Sequence, residues 1–241
     1  MARRELPYAL LDVFTERPFS GNQLAVFAQA ATDDATMQHI ARELNLSETV
    51  FVDRTDDAVA SLRIFTPYHE MRFAGHPTIG AAVAIVNDLH WVADDVDRFD
   101  LRLKVGLVPI RLERKGPLMA WLTTPPVRFG QEFDRAGAAA MAGLAAADVR
   151  DDLPAGLAGA DVPFVYVPVT GPDTVDRSSA VAAELRARAG WEEINGLYVY
   201  ALTPQGVYAR MFAPMSGITE DPATGGAAGP LAALLERRGA L

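Results

Sequence analysis

Apolar positions along the first half of the chain follow two periods. Residues 8–14, 24–27, 49–52 and 61–65 are short runs rich in β-branched and aromatic side chains, bounded by Pro, Gly, Asn and Ser, and are predicted as strands. Met37, Ile40, Ala41 and Leu44 recur instead at three- and four-residue spacing. That spacing predicts a helix from Asp33-Asp34, with Thr32 as its cap. A second helix is predicted from near Pro77 to Val86, its proline in the first turn, where a missing N–H leaves nothing unpaired. Strands are predicted at 99–105, 108–114 and 118–122, with Pro125-Pro126 as a linker. The second half reads as an Ala-rich helix at 134–147, a strand at 164–169 and a helix at 178–189. A hairpin at 197–202 and 207–212 and a last helix at 227–237, opened by Pro222, complete it.

The two halves resemble each other. Arg63-Ile64-Phe65-Thr66-Pro67 matches Arg210-Met211-Phe212-Ala213-Pro214, 147 positions later. His76-Pro77 matches Asp221-Pro222, 145 positions later, each ahead of a Gly- and Ala-rich segment. Two matches in the same order at nearly one offset predict a duplicated lobe. The expected fold class is α+β, with domains 1–115 and 116–241.

Charge narrows the partners. The 241 residues include 22 basic and 31 acidic side chains, a formal charge of −9. An acidic surface repels phosphate, so neither nucleic acid nor an anionic membrane is an expected partner. Cysteine is absent, which removes disulfides, thiolate metal sites and cysteine nucleophiles. No His or carboxylate spacing suits a metal ion, and none is expected. The N-terminus opens with Arg3-Arg4, but Glu5, Pro7 and Asp12 prevent an apolar run behind them, so no secretory leader is expected and a cytoplasmic location is.

Candidate chemistry gathers at the two proline motifs. A helix N-terminus offers N–H groups and partial positive charge to an anion. His76 and Asp221 are read as heading two such helices in equivalent places, with Gly75, Gly225 and Gly226 leaving the backbone open to a ligand. Glu48 stands at the edge of an apolar strand, where a partly buried carboxylate suits proton transfer.

These residues resemble the PhzF family, the phenazine-biosynthesis-like isomerases. The resemblance rests on Phe19-Ser20-Gly21-Asn22, on Asn45-Leu46-Ser47-Glu48-Thr49-Val50-Phe51, on Phe65-Thr66-Pro67, on Phe73-Ala74-Gly75-His76-Pro77-Thr78-Ile79-Gly80 and on Glu220-Asp221-Pro222-Ala223-Thr224-Gly225. It implies the diaminopimelate epimerase fold: two similar lobes, each a barrel-like, mostly antiparallel sheet around a central helix, with the site between them. It also implies a cofactor-independent isomerase that moves a proton on a small carboxylate, as in isomerisation of trans-2,3-dihydro-3-hydroxyanthranilate. Glu48, His76 and Asp221 match the family's catalytic residues, and Ser47, Gly75, Gly225 and Gly226 are expected to bind substrate. The family's serine after the second Thr-Gly is Gly226 here, and the second lobe is expected to be short of strands. That shortness predicts an uncovered apolar helix face at Leu231, Leu234 and Leu235, and from it a homodimer. The competing reading is a non-catalytic binding or scaffold protein that keeps the cleft.

Overall fold

The computed structural model describes residues 5–190 and 194–240, so the basic segment 1–4 lies outside the described residues. The chain divides at Pro125-Pro126 into two compact units, Met1–Pro125 and Pro126–Leu241.

In the first unit, β1 (Tyr8–Val13) pairs antiparallel with β2 (Asn22–Ala28). Helix α1 (Asp34–Leu44) then carries the chain back, so that β3 (Glu48–Asp53) lies parallel to β2. Asp33, not Thr32, caps α1, its side chain accepting from the Thr36 N–H. The helix stops at Asn45, which is left-handed at φ 52°, ψ 35° and turns the chain towards β3. Strand β4 (Ala60–Phe65) returns antiparallel, β5 (Glu70–Met71) pairs with it, and α2 (Gly75–Asn87) comes next. Strands β6 (Arg98–Leu103), β7 (Gly106–Glu113) and β8 (Met119–Leu122) extend the sheet, β6 parallel to β4 and the rest antiparallel.

Helix α2 packs against β1, β2, β3 and β4 and also against β8, at the far end of the sheet. A sheet whose two ends meet one helix is curled around it. The strands keep a two-residue alternation between their faces. Phe27, Phe51 and Phe65 pack with Met37 and Ala41 of α1, with Phe27 and Phe51 stacked at 5.0 Å. The alternate positions face α2. Leu24 is among them: a Cβ on Gly80 would lie 2.5 Å from Leu24 Cδ2 and 2.7 Å from Val13 Cγ2. Gly80 is thus a point of close approach of α2 to the sheet.

The second unit begins with β9 (Arg128–Phe133), α3 (Arg135–Met141), β10 (Ala155–Gly159) and β11 (Phe164–Pro168). Helices α4 (Pro172–Arg177) and α5 (Ala182–Ala189) lead to β12 (Gly196–Thr203), β13 (Gly206–Ala213), β14 (Ile218–Asp221) and α6 (Gly225–Arg237). The sheet order is β14-β13-β12-β11-β10-β9. The Ala-rich helix expected to reach residue 147 ends at Met141, because the chain turns at Gly143. The periodicity of the sequence predicts none of β5, β9, β10, α4 and β14. The apolar face of α6 is covered. Leu231, Leu234 and Leu235 are buried with Phe164, Tyr166 and Tyr200, and the Tyr166 hydroxyl donates to the Ala227 carbonyl at 2.8 Å. The helix face expected to lie open, the ground for expecting a dimer, is instead covered within the chain.

The duplication is plain in the pairing. From β1 to β5 the successive pairs run antiparallel, parallel, antiparallel, antiparallel, and β10 to β14 repeat that order. One side-chain device recurs with it. Arg63 forks onto Glu70 with two bonds of 2.8 Å and lies over the Phe65 ring. Arg210 forks onto Glu220 at 2.7 and 2.6 Å and lies over Phe212. Such bidentate pairs fix both groups in one plane, here bracing β4 to β5 and β13 to β14.

The register corrects the residue-by-residue match. Ile64 faces Met71 and Met211 faces Asp221. The structural counterpart of Asp221 is therefore Met71, and Gly225-Gly226 correspond to Gly75-His76. A short helical turn at Pro214–Ser216, inserted before β14, makes this shift.

Because Gly80 leaves no room for side-chain atoms, Gly80→Val should overpack the helix–sheet contact. Overpacking of a core usually costs about 1–3 kcal/mol. The small gain in helix propensity over Gly, a few tenths of a kcal/mol, does not offset it. Urea unfolding of the variant should show that loss; unchanged stability would mean that α2 does not seat as closely as described.

Candidate active site

Three side chains of the first unit meet at the start of α2. Glu48 is the first residue of β3, and its parallel partner on β2 is Leu24, a position that faces α2. Residues paired across a sheet share a face, so Glu48 faces α2 as well. Asn22, two positions before Leu24, is on that face by the same alternation. His76 is the second residue of α2, four before Gly80 and hence on the same side of the helix.

The result is a buried polar cluster. His76 is 4% exposed, the Glu48 side chain 12% and Asn22 1%. His76 Nδ1 lies 3.3 Å from Glu48 Oε2 and 3.5 Å from Asn22 Nδ2. A carboxylate beside an imidazole is a pair of side chains suited to taking up and releasing a proton. Thr78, two residues on, donates its hydroxyl to the Ala74 carbonyl at 2.7 Å and braces the first turn. Gly75 is buried at that N-terminus, and Ala74, the N-cap residue, has no side chain to satisfy its N–H groups. Ser47 is half-buried in the connection just before Glu48.

Asp221, Gly225 and Gly226 belong to the second unit. Asp221 does not head a helix, as the proline motif suggested; it is the last residue of β14 and precedes α6 by the three residues 222–224. It is 7% exposed and accepts a hydrogen bond from the Thr224 hydroxyl. Burial pushes the nearby Tyr198 phenol up, and the Asp221 charge adds to the shift. Gly225 and Gly226 are the first two residues of α6, and the side chain of Thr224, its N-cap, turns to Asp221 instead of capping the helix.

Sequence reading singled out Glu48 and His76 but took Asn22 only as part of a motif. The signal that would have found it is its place two residues before Leu24, on the helix-facing side of β2. Among the described residues, no group of three or more His, Asp or Glu side chains is arranged to hold a metal ion.

Comparison with known proteins agrees with this architecture. A trans-2,3-dihydro-3-hydroxyanthranilate isomerase of Pseudomonas aeruginosa is 36% identical over 242 residues, an alignment covering 95% of this chain and 80% of that one. A solved structure described as a predicted epimerase, also from Pseudomonas aeruginosa, superposes with a TM-score of 0.82 at 33% identity, covering 98% of this chain and 83% of the other. At the level of fold alone, a hydroxyproline epimerase from Agrobacterium vitis gives a TM-score of 0.68 at 13% identity, over 97% of this chain and 78% of that one. The family model for phenazine biosynthesis-like proteins, PhzC-PhzF, matches residues 11–241, and the chain belongs to that family.

Proposed function

We propose that the protein is an isomerase that shifts a proton between two carbons of a small carboxylate substrate, with Glu48 as the base. The observation that carries this reading is the buried Glu48–His76 pair at 3.3 Å. In the proposed reaction, Glu48 takes a proton from an activated C–H. The electron pair of that bond moves into the conjugated system, and the proton is returned at a carbon further along it. Nothing is oxidised or reduced, so side chains suffice and no cofactor is required. Glu48 begins and ends as a carboxylate.

His76 is the acid–base partner of Glu48, and Asp221 is proposed as a further catalytic group, orienting the substrate's amine or hydroxyl. Ser47 and the backbone N–H groups at Gly75, Gly225 and Gly226 are proposed as ligands of the substrate carboxylate, where helix N-termini stabilise negative charge that grows during proton abstraction. The substrate class follows the relatives named for trans-2,3-dihydro-3-hydroxyanthranilate: a small ring or chain bearing a carboxylate and an acidified C–H. A cytoplasmic homodimer completes the proposal. What supports a second copy is the edge strand β8, whose Met119 and Trp121 are both 49% exposed on an unpaired sheet edge.

Two measurements test this. Glu48→Gln keeps the shape but removes the basic oxygen, and loss of a general base typically costs on the order of 10²–10⁴ in rate. The variant should lose solvent-deuterium incorporation into trans-2,3-dihydro-3-hydroxyanthranilate or a related acid by about that factor, with its unfolding midpoint unchanged. Equal turnover by the variant would refute the role of Glu48. Sedimentation equilibrium at micromolar concentration should give twice the chain mass, and a single-chain mass would refute the dimer.

A further inference from the structure

One row of side chains crosses the second sheet on its α6 side. Tyr166 on β11 faces Tyr198 on β12, Tyr198 faces Met211 on β13, and Met211 faces Asp221 on β14. Residues paired across a sheet share a face, and Tyr166, Tyr198 and Met211 belong to one cluster with Leu231 and Leu234 of α6. The equivalent row of the first unit is Val26, Val50, Ile64 and Met71. That row is apolar throughout, so seating a helix on this sheet requires no polar group there. The Tyr166 hydroxyl is spent on α6, where it donates to the Ala227 carbonyl at 2.8 Å. The Tyr198 hydroxyl is bonded to nothing among the described residues. Its side chain is half-buried, and the Asp221 charge acts on it through space, with no hydrogen bond between the two. Burial pushes the phenol up and that charge adds to the shift, so Tyr198 keeps its hydrogen at neutral pH.

We propose that Tyr198 is a specificity-determining residue that, with Asp221, recognises a hydroxyl on the substrate: Tyr198 donates to its oxygen and Asp221 accepts its hydrogen. This rests on the proposed place of Asp221 in the site, and it narrows the group held there from amine or hydroxyl to hydroxyl. The reason lies in donors and acceptors. An ionised carboxylate only accepts, and alone would suit either group. Its acceptor positions number about four, so the bond from Thr224 leaves room for another donor. Tyr198 tips the choice. A hydroxyl has one hydrogen and two lone pairs, and satisfies carboxylate and phenol together. An ammonium has hydrogens only, so Tyr198 would have to accept from it and leave its own hydrogen unpaired in a half-buried place.

Binding tests this without any proton transfer. The probes are 3-hydroxyanthranilate and anthranilate, planar acids that differ by one hydroxyl and carry no acidified C–H. Calorimetric titration of the full chain should show tighter binding of the hydroxylated acid. Tyr198→Phe keeps the ring and removes the donor. It should cut that preference by roughly 2- to 12-fold, the worth of one net hydrogen bond, with the affinity for anthranilate and the unfolding midpoint unchanged. Asp221→Asn should lower the same preference, and the double variant should lose less than the product of the two losses, because both side chains hold one group. A wild-type protein that binds the two acids equally, or binds neither, overturns the proposal whatever the variants do. So does an unchanged preference in Tyr198→Phe or in Asp221→Asn. A Tyr198→Phe variant that weakens both acids alike also overturns it, since a side chain that only packs would do that. The base is judged separately. If Tyr198→Phe loses the preference while Glu48→Gln still exchanges protons at full rate, the recognition of a hydroxyl stands and the assignment of Glu48 falls.

Discussion

The parallel pairing of β2 with β3 is the constraint on which the site depends. Two parallel neighbours start at the same end of a sheet, so Asn22 and Glu48, each the first residue of its strand, come out beside each other. A parallel pair cannot be joined by a tight turn, and α1 supplies the crossover. Asp33 opens that helix and the left-handed Asn45 closes it, which sets the residue at which β3 begins. A slip of β3 by one residue against β2 would send every side chain of β3 to the opposite face. Glu48 would then point at α1 and the phenylalanine stack, away from His76 and Asn22. The core therefore guards the chemistry: Phe27, Phe51 and Phe65 fit only on the α1 side, and their burial pins the alternate positions to α2.

The duplicated topology makes the asymmetry of the chemistry informative. Thr49 faces Phe65 across β3 and β4, and Leu197 faces Phe212 across β12 and β13. The counterpart of Glu48 is therefore Gly196. A Cβ there would lie 2.5 Å from the Phe212 carbonyl oxygen, so no carboxylate could stand at that position without moving the strands. The counterpart of His76 is Gly226, and that of Asp221 is Met71. Each unit keeps the brace of Arg on Glu and Phe, which is structural, while Glu48, His76 and Asp221 are each matched by a different residue type in the other unit. Duplication preserved what holds the short strand and the helix in place, and left the ends of those elements open to change.

Much of this was legible in the sequence, for particular reasons. β2, β3 and β4 are buried on both faces or alternate cleanly, so their residues announce themselves. The Arg-x-Phe repeat marks equivalent strands because the brace needs both side chains. β9 was invisible because five of its six residues are exposed and carry no apolar period. β10 is mostly Ala and Gly, which reads as neither strand nor turn. The mistaken equivalence of His76 with Asp221 has one cause, the inserted turn at Pro214–Ser216: Pro77 lies in the first turn of α2, whereas Pro222 lies in the loop before α6. A shared dipeptide there marks no shared position.

Glu48 stands at a strand beginning, and the physics of proton exchange favours such a place. A group that must exchange protons has to be dry enough to hold a proton near neutral pH, yet reachable from outside. Mid-strand positions on β3 satisfy the first demand only: Val50 and Val52 are fully buried. Loop positions satisfy only the second. The first residue of a buried parallel strand satisfies both, because its side chain is enclosed by its neighbour strand on one side and by the sheet-packed helix above, while the strand end stays open. His76 obeys the same rule on α2, where one turn later Gly80 lets the helix lie close against Leu24 and Val13 of the sheet. The distance between Glu48 and His76 is therefore not a property of either side chain. It is set by how closely a helix without a side chain at position 80 can approach Leu24 and Val13.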